Sequence, residues 1–180
     1  YNGGTLENLT VAGSIEAKDF AAGIFAASLP MKEEDETLSK LVNHAKVTAD
    51  GTAAGIVAQT KEKVLLEDCV NTGVIEAAVA AGITTAECEN LVLMRCQNYA
   101  PIISSDNKSY GITSNLTANL TDCVGVSENV YPIAADANES ENCLYFISGG
   151  EKLEDALLAD ICDISLTIGE TDANGSYREY

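Results

Sequence analysis

A leucine followed three residues later by leucine or cysteine recurs five times along this chain. The copies are Leu6–Leu9, Leu38–Leu41, Leu66–Cys69, Leu93–Cys96 and Leu120–Cys123. Six residues after the second anchor stands a β-branched residue in four copies: Ile15, Val47, Ile75 and Ile102. Eight to ten residues further comes a glycine-isoleucine step, at Gly23-Ile24, Gly55-Ile56, Gly82-Ile83 and Gly111-Ile112. The second anchors are 28 residues apart from Leu41 to Cys69, then 27 to Cys96 and 27 to Cys123. A fixed period of this size is the mark of a solenoid, in which each repeat buries its apolar face only against its neighbours.

Within a repeat the inward candidates alternate with period two, as in Cys69, Asn71, Gly73, Ile75, which is strand spacing and not helical spacing. Gly13, Ala45, Gly73 and Ala100 share a slot that admits only a small side chain. Asn43, Asn71 and Asn98 share another, and two readings of it stay open. The amides stack into a ladder from coil to coil, or each asparagine takes a turn conformation with positive φ. The glycine-isoleucine step is expected on a second strand of each coil. There Ile24, Ile56, Ile83 and Ile112 form an internal ladder, and the glycine permits a bend or a close approach. A leucine-rich repeat has the right period but needs an apolar third anchor where this chain carries asparagine. A helical repeat is disfavoured by coils rich in Gly, Thr, Val and Asn. The expected fold is all-β, a right-handed parallel β-helix of about 27 residues per coil.

The coils occupy residues 1–150, with 151–180 as a cap belonging to the same domain. The charged stretch Pro30–Thr37 lengthens the first interval to 32 residues and reads as a loop at one corner. Val130–Ile133 and Cys143–Ile147 read as further strands at shorter spacing. Leu153, Ala156, Leu157 and Ile161 have helical spacing, so Glu151–Ile161 is expected to cover the open end, with Ile164–Ile168 returning as a strand.

A net charge of −18 argues against nucleic acid, whose phosphates must be neutralised by Lys and Arg, and against anionic membrane surfaces. No apolar run is long enough for a membrane-spanning helix. The six cysteines do not read as a disulfide framework. Cys69, Cys96 and Cys123 stand where earlier copies carry leucine, so they serve as small buried hydrophobes. Coils lie about 4.8 Å apart, but parallel side chains give poor disulfide geometry, which favours stacked free thiols. With a single histidine, His44, a zinc site is not expected.

The segments Leu66–Ile75 and Ala54–Val57 resemble the GLUG-type repeat of bacterial surface proteins. That repeat runs as a Gly-Ile-Val strand followed by a Cys-x-Asn-x-Gly-x-Val/Ile strand. The resemblance covers residues 5–130 and is clearest at 51–103. It implies a secreted or cell-surface location and a larger multidomain chain, with repeats flanking adhesive or enzymatic modules. The family's doubled glycine is Ala-Gly here, and Cys123-Val-Gly-Val lacks the asparagine.

Polysaccharide-cleaving β-helices need carboxylates from neighbouring coils held at fixed separation. Asp68, Arg95 and Asp122 share one register before the cysteine slot and form a candidate charge ladder. Cross-strand pairing on a solvated face is the competing reading. Tyr99 and Tyr110 are candidate sugar-stacking residues, with Tyr131 and Tyr145 behind them, and the first two are expected on different faces. Asp172–Ser176 has the start of an oxygen-rich calcium loop, but its Asn-Gly pair suits a turn better. No metal and no cofactor is expected. The reading that follows is a non-catalytic extracellular module, adhesive or spacer, with a glycan or a protein as partner. The alternative is a carbohydrate-binding or polysaccharide-cleaving module.

Overall fold

The computed structural model describes residues 5–27, 36–60, 64–86, 91–115, 117–127, 139–147, 169–171 and 177–179. The chain winds as a parallel β-solenoid of about 4 turns. Its first wall stacks six short strands in sequence order: Thr5–Glu7, Glu36–Ser39, Val64–Glu67, Val92–Met94, Asn119–Thr121 and Glu139–Glu141. Every neighbouring pair is parallel, and Leu6, Leu38, Leu66, Leu93 and Leu120 fall in one register. The second wall stacks Thr10–Val11, Val42–Asn43, Val70–Asn71, Gln97–Asn98, Val124–Ser127 and Leu144–Ile147 in the same order. The third wall has four levels. Ser14–Ala17 with Phe20–Ala22, and Lys46–Ala49 with Thr52–Ala54, are split strands; Ile75–Ala81 and Ile102–Tyr110 run through. A short fourth ladder pairs Phe25–Ala27 with Val57–Gln59 and continues as single bridges through Thr84 and Thr113.

The sequence dictates this shape through alternation. Cys69, Asn71, Gly73, Ile75 and Ala77 are buried while the residues between them are half-buried or exposed. Leu38, Leu66, Leu93 and Leu120 fill one side of the bore, and Ile56, Ile83 and Ile112 another, all fully buried. Burying each such side chain contributes about 1.5–3 kcal/mol, and it does so only when a coil lies on the next. Leu9, in the first coil, is 38% exposed, whereas Leu41 in the same slot of the second coil is fully buried.

Six residues of differing type build the corner between the first and second walls. Asn8, Lys40, Asp68, Arg95, Asp122 and Asn142 all take left-handed backbone angles, with φ of 58, 53, 53, 52, 54 and 52°. The first five each donate a backbone N–H to the coil above, as in Lys40 to Glu67 (2.9 Å) and Arg95 to Thr121 (2.9 Å). Left-handed geometry costs roughly 1–2 kcal/mol for an ordinary L-residue, and the coil-to-coil hydrogen bonds hold the chain in it.

The glycine-isoleucine step makes the bend and close approach expected of its glycine, but its place in the coil differs from expectation. It does not lie within a strand: Gly23-Ile24 and Gly55-Ile56 are bends, between Phe20–Ala22 and Phe25–Ala27 and between Thr52–Ala54 and Val57–Gln59. The glycine turns the chain inward against the opposite wall. Of the strand expected at Cys143–Ile147, Leu144–Ile147 forms, and its register brings Cys143 into the cysteine slot, 20 residues after Cys123. No helix occurs among the described residues. Of the charged stretch Pro30–Thr37, residues 30–35 lie outside the described residues, as do the strands expected at 130–133 and 164–168 and the capping helix at 151–161; Glu36 and Thr37 belong to the first-wall strand Glu36–Ser39 and not to a loop. Within 151–180 the structure describes one antiparallel pair, Gly169–Thr171 with Tyr177–Glu179.

Candidate functional site

Two internal columns and two surface features carry the polar chemistry. The asparagine slot is a ladder. Asn43 Nδ2 donates to Asn71 Oδ1 at 2.8 Å, and Asn71 Nδ2 donates to Asn98 Oδ1 at 2.7 Å. Each amide also donates to a carbonyl two residues on, at Ala45, Gly73 and Ala100 (3.0, 2.9 and 3.0 Å). Each Oδ1 accepts the backbone N–H of that same residue. None of the three has positive φ, so the turn reading does not apply. All three side chains are fully buried. A buried amide left unpaired would cost about 1–3 kcal/mol per group; here three amides satisfy one another and the small-residue turn beside them.

The bend glycines explain themselves against this ladder. A Cβ on Gly55 would lie 2.6 Å from Asn71 Cγ and closer still to the Gly82 carbonyl oxygen. Gly23 and Gly82 meet Asn43 and Asn98 in the same way. The bore is therefore pinched between a glycine column and an asparagine column, and only glycine leaves room for the amides.

The second internal column is Cys69, Cys96, Cys123 and Cys143, all free thiols, the first three buried. The Sγ atoms of the first three point at carbonyls of their own coil and the preceding one, as Cys96 does to Met94 (3.5 Å) and Leu66 (3.4 Å), and Cys143 Sγ points at the Glu141 carbonyl (3.4 Å). Burial holds the Cys96 thiol well above the ordinary range. At the end of the column, the shared hydrogen bond lowers Cys123 and raises Cys143, because the Cys143 thiol donates to Cys123 and so favours the ionised form of the acceptor and the protonated form of the donor. Cys88 and Cys162 lie outside the described residues.

On the surface, the register expected as a charge ladder sits at the left-handed corner and not on a strand face. Arg95 Nε donates to Asp68 Oδ1 at 2.7 Å, its Nη2 donates to Asp68 Oδ2 at 3.2 Å, and Nη2 also pairs with Glu67. The Arg95 guanidinium holds the Asp68 carboxyl below its ordinary value. Asp122 is exposed one coil on, and its carboxylate joins no ion pair among the described residues. Asp68 and Asp122 thus do not converge; Arg95 stands between their coils and engages only the first. Tyr99 follows the second wall, is 54% exposed, and its hydroxyl donates to Gln97 Oε1 at 2.7 Å. Tyr110 ends the long third-wall strand and is half-buried. The two tyrosines occupy different walls. Among the described residues no cluster of three or more His, Cys, Asp or Glu is placed to hold a metal ion.

Sequence reasoning missed one feature. Where the bend glycines pull the chain inward, the outer surface becomes concave and leaves a groove of about 310 Å³. One flank is the register column Phe20, Thr52, Val79. The other carries Ala58, Gln59, Thr60, Thr85 and Ser114. The recurring glycine was the available signal, since a glycine kept at a bend by an opposing side chain implies an indentation.

Searches of the chain against protein-family models, curated proteins and solved structures find no match.

Proposed function

We propose that this chain is a non-catalytic extracellular module of a bacterial secreted or cell-surface protein, a right-handed β-helix of the GLUG-repeat kind that serves as an adhesive surface or spacer. The observation that carries the reading is where the repeat is kept and where it is abandoned. Inward slots recur almost unchanged: Leu38, Leu66 and Leu93; Asn43, Asn71 and Asn98; Ile56, Ile83 and Ile112. The outward residue beside each asparagine is His44, then Thr72, then Tyr99. The outward corner is Lys40, Asp68, Arg95, then Asp122. The repetition thus serves stacking, as in a scaffold, and each coil presents its own surface. A net charge of −18 suits a solvated exterior facing water and not phosphate.

The test is incubation of the chain with a panel of neutral and acidic polysaccharides, followed by a reducing-end assay, with and without Ca²⁺. A scaffold releases no new ends in either condition. Turnover abolished by Asp68→Asn or Asp122→Asn would replace the scaffold reading with a cleaving enzyme.

A further inference from the structure

We propose that the groove beside the glycine bends binds a neutral oligosaccharide lying along the solenoid axis. The groove spans four coil levels, from Phe20 through Thr52 and Val79 to Ser114. Coil spacing makes that a length of roughly 14 Å, and the volume of about 310 Å³ lies at the small end of ligand sites. It is an extended slot and not a round pocket, so it fits a short linear chain of rings.

The lining sets the chemistry. None of its side chains is charged, on a protein whose net charge is −18. An acidic ligand would meet a single cation, Lys108, in register with Val79 on the next coil, against a net charge of −18 that repels it. Phe20 presents an aromatic ring that is 41% exposed at one end, where a large apolar side chain gains nothing from solvent. Val79 and Ala58 give an aliphatic floor, while Thr52, Gln59 and Ser114 are half-buried polar groups along its length. A ligand matching these surfaces has C–H faces for the ring and the floor and hydroxyl edges for the amide and hydroxyls, all without charge. A neutral saccharide has this pattern. The walls are held rigidly: Thr85 Oγ1 donates to the Ala58 carbonyl at 2.6 Å, and the bend between the flanks is wedged by Gly55 against Asn71. Such a preformed slot loses little conformational entropy on binding.

The site goes beyond the scaffold reading and is separate from Tyr99 and from the Asp68 corner. The test is calorimetric titration of the whole chain with neutral tetrasaccharides of glucose, mannose, xylose and galactose, with tetragalacturonate and an uncharged hydrophilic peptide alongside. At least one neutral tetrasaccharide is expected to bind, and tetragalacturonate is not. Phe20→Ala and Gln59→Ala should each weaken binding about tenfold or more, while Phe20→Tyr retains it and Tyr99→Ala leaves it unchanged. Both key side chains reach solvent, and circular dichroism of each variant verifies the fold. Absence of heat with every neutral saccharide at millimolar concentration would overturn the proposal. So would binding that Phe20→Ala and Gln59→Ala both leave intact, or binding of the peptide or the acidic saccharide alone.

Discussion

Asn71 Oδ1 accepts the amide of Asn43 while Asn71 Nδ2 donates to Asn98, so one fully buried side chain joins three successive coils. Asn71→Ala removes both links and leaves the Asn43 donor and the Asn98 acceptor each short of a partner. The expected loss is about 2–4 kcal/mol, from unsatisfied buried groups and the lost amide volume. Asn43→Ala, at the end of the row, should cost less. Urea unfolding of the two variants checks the order; equal losses would mean that the ladder has no middle.

Gly55 and Gly13 make opposite predictions for the same substitution. At Gly55 the added Cβ has nowhere to go between the Gly82 carbonyl and Asn71, so Gly55→Ala is expected to cost about 2–3 kcal/mol or more, as overpacking does. At Gly13 a Cβ meets nothing within 4 Å, but φ is +112°. Gly13→Ala should cost about 1–2 kcal/mol from backbone strain alone. Thermal melts of the pair separate steric from conformational need.

Asp68 titrates below its ordinary value of 3.8 chiefly because Arg95 donates to its carboxylate. A depressed folded-state pKa contributes stability that is present above the unfolded value and lost as pH falls through the folded one. The stability gap between the native chain and Asp68→Asn should therefore be full above about pH 5 and vanish in the acid range below 3.8. Carboxyl NMR titration should show Asp68 returning to its ordinary value in Arg95→Gln. Because the pair is partly exposed, added salt should shrink the effect.

Cys96 and Cys143 occupy one column but differ in access. Iodoacetamide at pH 8 should modify the partly exposed Cys143 at least about tenfold faster than the fully buried Cys96, because both thiols are held protonated and access alone separates them. Peptide mass mapping over time reads the order. Equal rates would show that the coils open together.

The repeat was legible because Leu66, Cys69 and Ile75 recur at slots where stacking permits only similar shapes. The asparagine ladder could be located in the sequence but not decided there, since a stacked amide and a turn residue use the same letter. The corner was invisible: Lys40, Asp68 and Arg95 share a backbone conformation imposed by the neighbouring coils and not by their side chains. Gly55 was legible as a point of bend or close approach; that the bend would break the strand was not, because the amide it faces lies on the opposite wall. The additional coil at Cys143 was blurred because its interval is 20 residues rather than 27. The groove was signalled only by the recurring bend glycine, because its outline belongs to the stacked coils and to no single segment.

The amide row also gives the molecule a grain. Every link points the same way, from Asn43 to Asn71 to Asn98. It has no amide at either flank, since Val11 and Gly125 hold the slot there. Pulled from its ends, such a rod does not lengthen evenly: the outer turns peel away one by one, and the stretch from residue 43 to residue 98 yields last, as a single clamp.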